Sequence, residues 1–253
     1  MWNKPQLMTA VADLLLAAAA AALLVAATVW VARLPHFTLT QIVVTHELTE
    51  VKRADVERAV AGLLRGNFFS FNVDALRQSL EKISWVRHAE VRRRWPSSLE
   101  VRIEEHQPVA FWGEGTGQLV NTHGEVFAAV MTVPKAMPLL HGPLAVAPDM
   151  LGYYREALDM LRPIGRTPKT LTVSPRLAVQ LKLDDGMVIE LGRQQPKVPI
   201  RLRLQRFVEN YPSVLTVAKA RPSVVDMRYP NGFALRLAAA PAAATGTESK
   251  GKQ

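Results

Sequence analysis

The sequence has no cysteine among its 253 residues, which excludes disulfides, thiolate metal sites and cysteine nucleophiles. A reducing cytosol and a bacterial periplasm are both compatible with that absence. Histidine is scarce: it stands at positions 36, 46, 88, 106, 123 and 141, and no two share a metal-ligand spacing such as H-E-x-x-H. The nucleophile elbow G-x-S-x-G and the phosphate-binding G-x-x-x-x-G-K-[ST] are also missing. Gly113-Glu114-Gly115-Thr116-Gly117 is glycine-rich, but no strand-to-helix pattern follows it, so it reads as a hairpin loop. Ser79-Leu80-Glu81-Lys82 has the form S-x-x-K, yet its S-D-N and K-T-G companions are absent and Leu80 belongs to an apolar stripe. Glu104 and Glu105 point to opposite faces of a strand and cannot share a substrate. No catalytic, metal-binding or cofactor-binding constellation is visible, and what remains is binding.

What is present begins with an apolar run. Leu14 to Ala32 is nineteen residues without a charge, with Thr28 as its one polar member. As a helix it is about 28 Å long, close to the hydrocarbon thickness of a bilayer. It is longer than the h-region of a cleaved signal peptide, and it leaves through Trp30, Val31, Arg33 and Pro35. A core helix of a soluble protein is seldom apolar on every face. The run therefore reads as a membrane anchor. Lys4 and Asp13 precede it and Arg33, Lys52 and Arg53 follow, so the flanking charges do not orient it. The net charge of +9 is spread along the chain, and its tightest cluster is Arg92-Arg93-Arg94 beside Trp95-Pro96. That spread reads as a solvated basic surface beside anionic lipid or cell-wall polymer rather than a nucleic-acid site.

Beyond the anchor the periodicity switches between two and 3.6. Alternation from Thr38 to Thr45 predicts a strand. Thr49 precedes a helical pattern carrying Val51, Val56, Val60, Leu63 and Leu64, with Gly66 placed as a C-terminal cap. After the aromatic loop Asn67 to Phe71, Asn72 or Asp74 caps a second helix with Val73, Leu76, Leu80 and Ile83. Strands follow at Trp85 to Arg93 and Ser98 to Glu105, with Val86, Ala89 and Val91 as inward candidates on the first. Strand, helix, helix, strand, strand is a compact α+β unit ending near Pro108. A second unit opens with a hairpin, Leu119 to Asn121 and Val126-Phe127, then a proline-punctuated loop region and a helix from Pro148 to Leu161. Strands are expected at Leu171 to Val173, Ala178 to Leu183 and Met187 to Leu191, and a basic amphipathic helix at Pro199 to Tyr211. The final pair is Val224 to Tyr229 and Phe233 to Leu237, joined by Pro230-Asn231-Gly232. The last strand has no successor in the chain to pair with, because the rest lacks large apolar residues. From pattern alone, it is either an open edge able to take an incoming strand or a strand that is interior or masked by the tail.

Several stretches, in order, resemble the FtsQ/DivIB family of bacterial cell-division proteins, of the FtsQ type. They are Asn67-Phe68-Phe69; Trp85-Val86 with Ala89 through Pro96; Leu99 through Glu105 with Pro108-Val109-Ala110-Phe111-Trp112; and Leu119-Val120-Asn121 with Gly124 and Phe127. Later come Leu191-Gly192-Arg193, Arg206-Phe207-Val208, Asp226-Met227-Arg228-Tyr229 and Asn231-Gly232-Phe233-Ala234. The resemblance implies a single N-terminal transmembrane helix, a POTRA-type β-α-α-β-β domain, and a second α+β domain on a mostly antiparallel sheet. The organisation expected is a short cytoplasmic tail at 1–10, the transmembrane helix at 11–33, and the POTRA-like domain at 37–106. The C-terminal FtsQ-type β domain then occupies 107–238, and a disordered tail 239–253.

The same resemblance implies a non-enzymatic, cofactor-free scaffold of the divisome, single-pass in the inner membrane, with its N-terminus cytoplasmic and its domains periplasmic at the septum. Its implied partners are the coiled-coil proteins FtsB and FtsL, and the scaffold is implied to link early and late divisome components. Carried over by position, Arg176, Arg228 and Tyr229 match the partner-contact residues. Phe233, Ala234 and Leu235 would supply a pairing backbone for FtsB. POTRA-like domains also serve in outer-membrane biogenesis and polypeptide transport, but here no β-barrel pattern follows.

Overall fold

The computed structural model describes residues 5–32, 41–45, 48–63, 68, 71–95, 97–113, 117–217, 222–229 and 232–237. The chain divides into two compact units, Met1–His106 and Gln107–Gln253, each described by itself.

The first unit opens with α1, Pro5–Ala32, which carries Gln6, Thr9 and Asp13 near its start and is rich in alanine and leucine, without a charge, from Leu14 onward. The hydroxyl in its apolar stretch is satisfied locally: Thr28 Oγ1 donates to Leu24 O at 2.5 Å and to Val25 O at 3.1 Å. The span Met8–Trp30 buries nothing against the rest of the chain. It fits a transmembrane anchor.

The rest of the unit consists of β1 (Gln41–Val44), α2 (Arg53–Ala61), α3 (Val73–Leu80), β2 (Val86–Arg94) and β3 (Ser98–Glu105). The sheet order is β1-β3-β2, with β1 parallel and β2 antiparallel to β3. Val56 and Val60 of α2 and Leu76 and Leu80 of α3 are buried, as are Val86, Ala89, Leu99, Val101 and Ile103 of the strands. Val86 and Ala89 both point inward although three residues apart, because the register shifts between Val86 and His88. Asn72 caps α3, its Oδ1 accepting from Ala75 N at 3.0 Å. The Ser79–Lys82 stretch is structural. Ser79 Oγ donates to Ala59 O at 3.1 Å, Leu80 is fully buried, and Glu81 accepts from Ala89 N.

Helix α2 starts later than the pattern from Thr49 predicts. The amides of Thr49, Glu50 and Val51 instead converge on the Glu105 carboxylate at the end of β3, with distances of 2.8–3.1 Å. Three N–H donors on one anion form a nest, which holds this turn out of the helix. The helix ends on Gly62 in the right-handed conformation; the expected cap at Gly66 lies outside the described residues.

The second unit contains β4 (Pro108–Trp112), β5 (Gln118–Asn121), β6 (Val126–Ala128), β7 (Leu139–His141) and α4 (Ala147–Leu161). Then come β8 (Pro168–Val173), β9 (Ala178–Leu183), β10 (Val188–Arg193), α5 (Ile200–Val217), β11 (Pro222–Asp226) and β12 (Ala234–Leu237). They form one nine-stranded sheet in the order β12-β11-β10-β9-β8-β7-β4-β5-β6. Pairs β4–β5, β5–β6, β8–β9, β9–β10 and β11–β12 are antiparallel, and β4–β7, β7–β8 and β10–β11 parallel. Each helix is a crossover: α4 joins parallel β7 to β8, and α5 joins β10 to β11. Met150, Leu151, Ala157 and Leu161 of α4 and Ile200, Leu204, Phe207, Tyr211 and Val214 of α5 join one core with Leu171, Leu181, Ile189, Leu191 and Val225 of the sheet.

Two strands, β4 and β7, arise where the sequence pattern suggested only a boundary and a loop. Helix α5 runs past Tyr211, the expected end, and carries Pro212 inside it. Proline removes one ladder donor. Burial of Val214 and the Thr216 Oγ1 bond to Pro212 O, at 2.9 Å, accompany the continued turn.

Candidate partner-binding edge

The β10–α5–β11 crossover puts β11 at the rim of the sheet, and the chain then turns back to lay β12 outside it. Asp226 pairs with Ala234, Val225 with Leu235 and Val224 with Arg236. Because faces alternate along a strand, Leu235 lies on the face of fully buried Val225. Phe233 and Leu235 are half-buried and pack against the core, whereas Ala234 and Arg236 are exposed. Among the described residues, β11 is the one strand paired with β12. The outer side of β12 is therefore a row of backbone donors and acceptors beside a partly covered apolar margin.

At the end of β11 the carboxylate of Asp226 organises the chain. It accepts from Arg228 N at 3.0 Å and from Arg228 Nε at 2.8 Å, and also takes Arg228 Nη2. Arg228 Nη2 lies 3.5 Å from Glu190 Oε2 on neighbouring β10. The Arg228 hydrogen bonds hold the Asp226 carboxyl below the usual carboxylate range, and the same contact raises the guanidinium. Arg228 thus sits between two acids of its own sheet while its side chain remains 57% exposed. Next to it, Tyr229 is 55% exposed, and its carbonyl accepts from Arg206 Nη1 at 3.3 Å.

The Leu191-Gly192-Arg193 stretch lies under this cluster. Gly192 has φ +72°, and the register against β9 shifts there. A Cβ on Gly192 would lie 2.9 Å from Arg228 Cγ, so glycine allows the arginine stem to lie across the strand. Beneath it, Arg203 of α5 is 1% exposed; its Nη1 donates to Leu191 O and, at 2.8 Å, to Arg193 O. Its Nη2 is buried without a partner among the described residues. Burial, then the charge of Arg206, lower its pKa.

Arg176 lies in the turn between β8 and β9, where it is exposed beside Leu177 at φ +60°. Ala178 pairs with Arg193, and Glu190 with Asp226, so this turn and the end of β11 share one end of the sheet. From β9 to β12 is three strand spacings, about 14 Å. Arg228, Tyr229, Phe233, Ala234 and Leu235 are thus brought together directly, with Arg176 on the same end but across the sheet. Pro230 and Asn231 of the intervening turn lie outside the described residues. Asp226, Glu190, Gly192 and Arg203 were not singled out as functional from the sequence. Asp226 and Arg228 stand at i, i+2 in the strand expected at Val224 to Tyr229, which was the available signal, although β11 itself ends at Asp226; the proximity of Glu190 requires the parallel crossover. Among the described residues, no three His, Asp or Glu side chains are grouped to hold a metal ion.

An apolar helix followed by a β-α-α-β-β unit and a larger α+β sheet fits the class of membrane-anchored, single-pass proteins. Comparison with known proteins gives its family. Residues 37–106 match the family described as "POTRA domain, FtsQ-type", and residues 110–228 match "Cell division protein FtsQ/DivIB, C-terminal". The chain is 37% identical to the cell division protein FtsQ of Burkholderia pseudomallei, over 94% of this chain and 95% of that protein. It is 36% identical to that of Bordetella pertussis, over 95% and 94%, and 34% identical to that of Nitrosospira multiformis, over 93% and 99%. The chain belongs to the FtsQ/DivIB family of cell-division proteins, and membership implies partners in the division machinery.

Proposed function

We propose that the chain is a non-enzymatic scaffold of the divisome that binds FtsB and FtsL in the periplasm through the open edge of β12. In this reading the N-terminus is cytoplasmic, both units are periplasmic, and the protein links early and late division components at the septum. The observation that carries the reading is the position of β12 at the end of the nine-stranded order. An FtsB segment pairing there would gain a ladder of main-chain hydrogen bonds and cover the half-buried side of Phe233 and Leu235. Tyr229 offers a large side chain with little rotamer entropy to lose, beside the pairing strand. Arg228 and Arg176 offer guanidinium groups to partner acids, although Arg228 must then be shared with Asp226 and Glu190.

Proline substitution tests the edge. Successive residues of an antiparallel strand send their N–H groups in opposite directions, so of Ala234 and Leu235 one faces β11 and the other faces outward. Ala234→Pro and Leu235→Pro are each expected to abolish capture of the FtsB periplasmic segment in a purified pull-down. The outward-facing position should do so with the unit's melting unchanged. Undiminished capture by both variants would remove the edge from the reading.

A further inference from the structure

The turn between β2 and β3 has features that the β12 edge does not use. Trp95 at its start is 75% exposed, and Arg92, Arg93 and Arg94 lead into it, all exposed. Arg93 Nη2 donates to Phe71 O at 2.8 Å, which holds one guanidinium at the tip. Arg92 pairs with Glu90, further from the turn, and stands opposite Glu100 in register. From Arg93 to Ser98 the sequence carries no carboxylate. An exposed indole beside guanidinium groups is the amphipathic, cationic combination found where proteins meet an anionic membrane interface.

Register says where this turn is. Arg94 pairs with Ser98, and Ser98 pairs with Gln41, the first residue of β1. The turn therefore lies at the end of the sheet where the chain arrives from α1. Only residues 33–40 separate Ala32, the last residue of α1, from Gln41. Fully extended, that segment spans about 30 Å at most. It contains Arg33 and no acid. A tip tethered this near a bilayer, bearing tryptophan and arginine without carboxylate, has the chemistry of an interfacial contact. Indole rings favour the headgroup level, and guanidinium groups bind anionic headgroups.

We propose that the β2–β3 turn docks on an anionic lipid surface beside α1, with Trp95 at headgroup level, Arg94 on lipid phosphates, and Arg92 shared between Glu90 and the headgroups. The first unit is then held against the membrane at two points. The proposal rests on α1 as a membrane span and is independent of partner capture at β12.

The test uses the full chain in nanodiscs of phosphatidylglycerol carrying brominated acyl chains. Subtracting the emission of Trp95→Phe isolates this residue from the other tryptophans. The Trp95 signal should be quenched about twofold relative to unbrominated phosphatidylglycerol. That quenching should be lost in phosphatidylcholine, and lost in an Arg92→Glu/Arg94→Glu variant. Amide exchange of residues 91–95 in the unsubstituted chain gives a second readout without any variant, and should slow in phosphatidylglycerol relative to phosphatidylcholine. Equal Trp95 emission with and without bromine overturns the proposal, as does exchange at 91–95 that ignores lipid charge. Shielding that appears only when other division proteins are added also overturns it, since the surface would then be a protein contact.

Discussion

Replacing Asp226 with alanine isolates the group that shapes the end of β11. Two contacts are lost: the bond from Arg228 N at 3.0 Å, and the guanidinium pair on the same carboxylate. A net hydrogen bond to the backbone is worth about 1 kcal/mol. The ion pair adds about 0.5 kcal/mol, because exposure of Arg228 leaves it largely screened by solvent. The sum, about 1.5 kcal/mol, corresponds to about tenfold faster opening of β11. Arg228→Ala loses the ion pair but keeps the bond from the amide of residue 228, so it should accelerate opening only about twofold. Hydrogen exchange of residues 224–228, followed by mass spectrometry on the full chain in detergent, reads both. Equal acceleration by the two variants, or a larger effect from Arg228→Ala, would refute the assignment of Asp226 as the organising group. Acid supplies a sign check. The carboxyl of Asp226 is held low by its Arg228 hydrogen bonds in the folded state. Its contribution is therefore complete above the unfolded aspartate value of about 3.9 and fades as pH falls through the lower folded value. After correction for intrinsic rates, the gap between wild type and Asp226→Ala should persist at pH 5–7 and begin to narrow only below about pH 4.

Glu105→Gln removes the charge on which the amides of Thr49, Glu50 and Val51 converge, and should cost about 1–2 kcal/mol. Calorimetry of the full chain should show the first unit melting about 5 °C or more lower; an unchanged transition would mean that the nest contributes nothing. Gly192→Ala places a Cβ at φ +72° and 2.9 Å from Arg228 Cγ. It should cost about 1–2 kcal/mol and displace the arginine stem. FtsB capture at wild-type affinity by this variant would show that the placement of Arg228 is dispensable.

Local features of the fold were legible in the sequence where adjacent residues determine them. Asn72 announces α3 because its side chain has an amide three residues on to accept from. The stripe Ile200, Leu204, Phe207 and Tyr211 announces α5 because the period matches one helical face. Strands β4 and β7 were not legible, since Phe111 and Leu139 pair only once the chain has travelled between them. The run past Pro212 was hidden for a related reason, as the burial of Val214 is set by the sheet beneath it. At the candidate edge, the apolar alternation of Phe233 and Leu235 could be read directly. The crowding of Gly192 between Arg203 and Arg228 could not, because it joins three elements through a parallel crossover.

The parallel pairing of β1 with β3 has a mechanical meaning. The anchor is attached at the start of β1, and the second unit at the end of β3, so these attachment points lie at opposite ends of two parallel neighbours. Tension between the membrane and a captured partner would load their hydrogen bonds in shear, all at once, instead of unzipping them one at a time. The Glu105 carboxylate, gripping three amides at the point where that tension leaves the sheet, would spread part of the load into the turn before α2.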